Sequence, residues 1–176
     1  SAAKEYLKIY GVLVGKKPLV FTNNDSGYET AIEFKKNGID PVILDTRKDP
    51  SSEIVNEAKS LNIDIKFSYV VVAAKGYKKV KSADIAKISD DKKQLSQIEN
   101  INCDCICVSG FWTPTIHLAS QSGNKTKFNE DIDAFIPGQS KQNETVLGSA
   151  KGIFTLEETL KTSFEKGSEL SKKITN

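Results

Sequence analysis

The chain has 176 residues, of which 38% are hydrophobic and 27% charged, with a formal net charge of +2. This composition is typical of a globular protein, and the length suffices for one core or for one domain plus part of another. So small a charge does not favour nucleic acid or an anionic membrane as a partner. No apolar run approaches the length of a membrane span, and the N-terminus lacks the apolar core of a signal peptide. We therefore predict a cytoplasmic protein.

The chain begins with Ser1 and contains no methionine. A processed chain would explain this, but both ends look like continuations of a longer sequence. We interpret the chain as a segment of a larger polypeptide.

Residues 18–47 predict a strand, a helix and a second strand. The apolar runs at 19–21 and 41–44 suit buried strands. Between them, apolar residues recur at helical spacing up to Asn37 and Gly38, which form a C-cap pair. The pattern predicts a βαβ unit of a parallel sheet.

The turn after the first strand departs from the dinucleotide-binding pattern G-x-G-x-x-G. Thr22 and Asn24 stand where the first two glycines belong, and only Gly27, the packing glycine, is present. The side chain of Asn24 would fill the space that a phosphate needs. We favour a turn that has kept the fold and lost nucleotide binding. In the alternative, Asn24, Ser26 and the ribose-binding candidate Asp45 hold a nucleotide.

The pattern continues with a helix that begins near Asp49 and a third strand at 63–67. An antiparallel meander is predicted over 69–98. Its strands are expected at 69–74, 80–88 and 94–98. The strand at 101–108 then returns to the parallel sheet and leads into the loop 109–115, at the edge where ligands bind in open α/β sheets.

The C-terminal part is more polar. We expect a loop over 123–133, extended pieces at 134–138 and 144–147, a turn of small residues at 148–152 and a final helix. Small residues before a helix allow backbone amides to approach an anion, but a plain tight turn explains them equally well.

Neither the cysteines nor the only histidine predicts a catalytic or metal site. In the pattern C-x-C-x-C, alternation places Cys103, Cys105 and Cys107 on one face of a strand, without the fourth ligand that zinc requires. We expect small buried hydrophobic residues in a reducing compartment. His117 has no evident nucleophile or carboxylate partner, which favours a hydrogen-bonded structural residue.

The order of elements is similar to the second dinucleotide domain of glutathione-reductase-like flavoproteins. This class has an α/β, Rossmann-like three-layer domain with a parallel sheet and an antiparallel β-meander. Within the class, four segments resemble the α subunit of heterotetrameric sarcosine oxidase. They are VFTNNDSGYETA, VSGFWTPTIHLASQSG, AFIPG and GSAKGIFTLEETL. The α subunits of opine, octopine and proline dehydrogenases share the fold.

The resemblance implies an oxidoreductase that demethylates sarcosine to glycine, in which this segment is not itself catalytic. It implies NAD in the intact α subunit and flavins only in the β subunit. The partners implied are the remaining α-subunit domains and the β, γ and δ subunits. Residues 1–123 would be the Rossmann-like domain, and 124–176 would return to the first dinucleotide domain.

The resemblance also implies a set of NAD contacts in that return segment. They are Gly148, Ser149, Ala150, Gly152, Phe154 and Thr155. Two other functions remain open: a stand-alone nucleotide-binding module, and a protein-interaction module of a related amine dehydrogenase complex.

Overall fold

The computed structural model of the chain describes residues 2–110 and 112–174. The chain forms two compact units, Ser1–Phe111 and Trp112–Asn176. The helices are α1 (Ala2–Tyr10), α2 (Ser26–Lys36), α3 (Glu53–Ser60), α4 (His117–Gln121) and α5 (Leu156–Ile174), with a 3-10 helix at Gly148–Lys151. The strands are β1 (Pro18–Thr22), β2 (Val42–Asp45), β3 (Asp64–Phe67), β4 (Tyr69–Gly76), β5 (Val80–Lys87), β6 (Glu99–Asn102), β7 (Cys105–Ser109), β8 (Thr126–Asn129) and β9 (Ala134–Pro137).

A four-stranded parallel sheet forms the centre of the first unit, in the order β3-β2-β1-β7. In register, Leu19 lies opposite Val42 of β2 and Ile106 of β7. The predicted βαβ unit and its parallel pairing are therefore confirmed. Because all strands point the same way, the turn after β1 and the ends of β2 and β7 meet at one carboxyl edge.

The sheet is covered on both faces, which gives the three predicted layers. Val20 and Ile43 point toward the helices and pack with Tyr28 and Phe34 of α2 in one buried cluster. On the opposite face, Leu19 packs in a second cluster with residues of the meander β4-β5-β6. This double burial explains the apolar runs in β1 and β2.

The third strand of the meander is not where the sequence predicts it. Residues 94–98 contribute one isolated bridge, between Ile88 and Leu95. The strand that pairs with β5 is β6, Glu99–Asn102, so the start of the predicted return strand belongs to the meander. Alternation of side chains in a short segment does not reveal which sheet it joins.

This shift also separates the cysteines. Cys103 lies in the bend between β6 and β7, and it is buried among the residues that face the meander. Cys107 packs on the opposite, helix-covered face of the sheet. The prediction that all three cysteines share one face is therefore wrong for Cys103.

The second unit contains a hairpin that the sequence analysis missed. β8 lies within the predicted loop 123–133, and it pairs with β9 in antiparallel register. The rings of Phe128 and Phe135 meet edge to face across the hairpin, with centroids 5.2 Å apart. Residues 144–147 do not form a strand. None of the described helices has the length and apolar character needed to cross a bilayer.

Gly27 and Gly167 both lie in helices and give a matched pair of predictions. A Cβ on Gly27 would lie 2.5 Å from Cβ of Thr22, whereas no heavy atom lies within 4 Å of one on Gly167. Gly27→Ala should lower the free energy of unfolding by about 1–3 kcal/mol through overpacking. Gly167→Ala should raise it by about 0.5–1 kcal/mol, since alanine suits a helix better than glycine. Urea denaturation followed by circular dichroism measures both, and equal shifts of the same sign would contradict the packing role of Gly27.

Candidate functional site

The turn between β1 and α2 is held by hydrogen bonds from its own side chains. The Thr22 hydroxyl donates to the carbonyl oxygen of Asn24 (2.8 Å) and accepts from its amide N–H (3.2 Å). Thr22 is buried, and it contacts the position that a side chain on Gly27 would need. Gly27 therefore serves close packing of the helix against the strand, as the sequence predicts.

The carboxamide of Asn24 occupies the N-terminus of α2. Its Oδ1 accepts from the backbone N–H of Ser26 (3.0 Å) and from the Ser26 hydroxyl (2.6 Å). Oδ1 also accepts from the Ser109 hydroxyl (3.3 Å), and Nδ2 donates to the carbonyl oxygen of Gly110. An acceptor belonging to the chain thus stands where a dinucleotide fold normally places a phosphate.

The carboxylate of Asp45, at the end of β2, is fully buried, and both of its oxygens accept hydrogen bonds. Tyr28 donates its hydroxyl to Oδ2 (2.6 Å), and the Arg47 backbone N–H donates to Oδ1 (2.9 Å). The Arg47 guanidinium adds Nε and Nη2 contacts of 2.9–3.2 Å to both oxygens. Arg47 also forms an ion pair with Asp25 at 2.8 Å. Asp45 therefore has no oxygen directed at a ribose in this structure.

Burial and hydrogen bonding fix the protonation states of Tyr28 and Arg47. Burial and the hydrogen bond to Asp45 raise the pKa of Tyr28. Burial alone would lower the pKa of Arg47, but its hydrogen bonds to Asp45 and its ion pair with Asp25 outweigh that effect and raise the pKa. The tyrosine therefore stays a neutral donor and the arginine a cation near neutral pH. The network is suited to structure rather than to proton transfer.

The predicted NAD contacts all lie in the second unit. Gly148 begins the 3-10 helix and Gly152 follows its last residue, and both have left-handed backbone angles (φ 60° and 87°). The left-handed backbone angle of Gly152 favours glycine, and a Cβ there would also lie 2.7 Å from Cδ1 of Ile132. Ser149 and Lys151 are the exposed residues of this turn, while Gly148 is buried.

The start of α5 is capped by its own residues. The Thr155 hydroxyl accepts from the backbone N–H of Glu158 (3.4 Å) and donates to its carboxylate (3.1 Å), which is a capping arrangement. Glu157 and Glu158 place negative charge in the first turn. An anion is disfavoured there, so close approach at the glycine turn is the remaining physical basis for a cofactor contact. Phe154 lies beside Trp112, with ring centroids 6.2 Å apart.

No catalytic or metal-binding constellation appears among the described residues. His117 is exposed at the start of α4, and its side chain has no hydrogen-bond partner in the described part of the chain. The expected hydrogen-bonded structural role of His117 is therefore not found. Within residues 2–110 and 112–174, no group of three or more His, Cys, Asp or Glu side chains is placed to hold a metal ion.

The amino-acid sequence is similar to that of known proteins over most of its length. No family model matches the chain. The sarcosine oxidase subunit alpha of Corynebacterium sp. (strain P-1) is 27% identical over 164 residues, which are 92% of this chain and 17% of that protein. The Rhizobium meliloti (strain 1021) subunit is 31% identical over 152 residues, 85% of this chain and 14% of that protein. The chain is similar to one segment of the sarcosine oxidase α subunit.

This similarity confirms the resemblance that the four motifs indicate. The chain spans only 14–17% of the length of these curated relatives. The similarity therefore concerns one segment of the sarcosine oxidase α subunit and not the whole subunit.

Solved structures confirm the fold class. Thioredoxin reductase from Lactococcus lactis aligns with a TM-score of 0.69 at 15% identity, covering 89% of this chain and 52% of that one. The flavoprotein disulfide reductase RclA from Escherichia coli aligns with a TM-score of 0.60 at 13% identity, covering 85% and 34%. At such identities the likeness shows the fold, which is the glutathione-reductase-like α/β fold.

Sequence reasoning missed the partners of Asp45. Arg47 is the only arginine of the chain, two residues beyond Asp45, and this was an available signal for an ion pair. Tyr28 gave no such signal, because it occupies an ordinary core position on the helix pattern. Its contact with Asp45 joins residues 17 positions apart.

Tyr28→Phe tests the strength of the network. The variant removes a buried hydrogen bond to a charged group and should lower the free energy of unfolding by about 1.5–3 kcal/mol. Tyr69→Phe is the matched control, because the Tyr69 hydroxyl donates to Glu99 at the surface (2.9 Å), and a change within about 0.5 kcal/mol is expected. Urea denaturation compares the two variants. Equal losses would show that burial of the Tyr28–Asp45 contact adds nothing.

Proposed function

We propose that this chain is a non-catalytic, Rossmann-like domain of an α subunit in a sarcosine-oxidase-like oxidoreductase. In the whole enzyme, the domain scaffolds its neighbours and helps hold NAD that another dinucleotide domain binds. The flavins and amine oxidation belong to the β subunit, and the γ and δ subunits complete the complex. The similarity to sarcosine oxidase α subunits over 85–92% of the chain supports this assignment.

The position of Asn24 is the main support for the proposal that the turn after β1 does not bind a nucleotide. A dinucleotide bound at this turn would have to displace the Asn24 carboxamide from Ser26 and Ser109. The carboxylate that would bind the ribose of such a ligand, that of Asp45, already accepts hydrogen bonds from Tyr28 and Arg47. The residues present at this turn therefore do not fit NAD.

The second unit supports a partial cofactor contact. In the proposed arrangement, NAD is held mainly by the first dinucleotide domain, and the turn at 148–152 closes over it through backbone and small side chains. Residues 124–176 would accordingly belong to that first domain. The protein-interaction alternative has the same fold but predicts no nucleotide contact at Ser149 in the assembled subunit.

Calorimetry on the 176-residue chain tests the first part of the proposal. Titration with NAD, NADP or ADP should show no binding tighter than about 1 mM, a free energy of about −4 kcal/mol. A micromolar dissociation constant that is abolished by Asn24→Ala would instead support a stand-alone nucleotide-binding module.

Variants of Ser149 test the second part in the full-length α subunit. Ser149→Asp adds a negative charge at an exposed position and should raise the dissociation constant of NAD about tenfold, through repulsion worth about 1.4 kcal/mol, seen as loss of bound NAD on dilution and dialysis. Ser149→Asn has similar size without charge and should retain NAD. Unchanged NAD content in both variants, with normal folding, would favour the interaction module.

A further inference from the structure

Two of the three cysteines form a close pair on β7. The Sγ atoms of Cys105 and Cys107 lie 3.8 Å apart. The two residues are separated by one position in a strand, so their side chains project from the same face. β7 is an edge strand of the four-stranded sheet, and both cysteines are partly exposed. The pair is independent of the turn at Asn24 and of the proposed NAD contacts.

The spacing of these sulfurs suits a bridging atom better than a disulfide. A disulfide requires about 2.05 Å between the sulfurs and a Cα separation of at most about 6.8 Å. Residues i and i+2 of a strand are already about 6.6 Å apart, at the upper end of that range. One pyramidal atom with two bonds to sulfur of about 2.3 Å at an angle of about 100° spans about 3.5 Å. The observed distance of 3.8 Å between the two sulfurs exceeds this span by about 0.3 Å, which a small side-chain rotation removes.

The surroundings restrict which atom would be bound. No third His, Cys, Asp or Glu side chain of the described residues joins the pair, so a zinc site closed by four protein ligands is not formed. Two sulfur ligands alone favour a soft, thiophilic centre. Gly15 packs closely on Cys105, because a side chain there would meet Cβ of Cys105 at 2.7 Å, so a reagent reaches the pair through the partial exposure of the two cysteines.

The protonated state of the Cys107 thiol favours a reagent that replaces the thiol protons as it binds. Burial, together with the neighbouring Cys105, raises the pKa of the Cys107 thiol to about 12. Cys107 is therefore a thiol at neutral pH, and a free cation would have to bear the cost of its ionisation.

We propose that Cys105 and Cys107 form a dithiol site for trivalent arsenicals. In the reaction with an organoarsenic oxide, both S–H bonds and the arsenic–oxygen bond break, and two As–S bonds form. The two protons leave with the oxide oxygen as one water molecule. Arsenic and sulfur keep their oxidation states, so no oxidant or reductant is required.

Phenylarsine oxide is the probe for this site. Under native conditions, intact-mass measurement should show one phenylarsenic adduct per chain, with an unchanged circular dichroism spectrum. A dithiol such as 2,3-dimercaptopropanol should remove the adduct, and the same concentration of a monothiol should not, because the chelate uses two sulfur bonds.

Three cysteine variants provide matched controls. Cys105→Ser and Cys107→Ser should each weaken adduct formation at least tenfold, and Cys107→Ala replaces the second if Cys107→Ser does not fold. Cys103→Ser should bind like the original chain, since Cys103 lies on the opposite face and is buried. An adduct that survives loss of Cys105 or Cys107, or one that forms only in urea, would overturn the proposal. Failure of the folded chain to react would also overturn it.

Discussion

Burial of β1 on both faces is the constraint on which the rest of the first unit depends. Leu19 and Val20 are each 1% exposed, and they point to opposite layers. β1 also pairs on both sides, with β2 and with β7. A strand fixed in this way can neither slide nor rotate without moving a complete set of side chains to the wrong face. The position of the turn after Thr22 is therefore fixed, beside the ends of β2 and β7.

At that place, the polar groups that usually receive a dinucleotide are satisfied by the chain itself. Asn24 Oδ1 accepts three hydrogen bonds, each worth about 0.5–1.5 kcal/mol net. The contacts of Asp45 involve charge and are worth about 1.5–3 kcal/mol each. Micromolar binding supplies about 8 kcal/mol in total, so a ligand that had to displace both sets would lose most of its affinity. The fold can thus be retained while the turn does not bind.

The sequence predicts this architecture better than it predicts the contacts at the turn. Hydrophobic periodicity and the Asn37–Gly38 cap suffice for β1, α2 and β2, because double burial leaves continuous apolar runs. The absence of two of the three glycines of the G-x-G-x-x-G pattern can be read directly from the sequence. The environment of Asp45 is not visible, because Tyr28 and Arg47 reach it through the packing of α2 on the sheet. The spacing of residue types along the chain does not reveal which side chains of different elements meet in the fold.

The errors have the same origin. In residues 94–102 the apolar residues Leu95, Ile98 and Ile101 recur without strict alternation, and only the pairing with β5 selects 99–102 as the strand. That selection also moved Cys103 to the opposite face from Cys107. Local alternation predicts a strand, but partner strands decide its limits and therefore which side chains share a face.

The two helix N-termini that were candidates for phosphate binding are each satisfied from within the chain. At α2 the acceptor is the neutral carboxamide of Asn24, and at α5 it is the hydroxyl of Thr155, with two glutamates in the first turn. Neither helix dipole is therefore available to a phosphate. A cofactor contact in this chain would depend on the exposed Ser149 and on the partly exposed Gly152, since Gly148 is buried. Lys151 gives the turn at 148–152 a single positive charge, and Glu157 and Glu158 follow in the first turn of α5, which favours contact with a nucleotide already held elsewhere over capture by the turn alone.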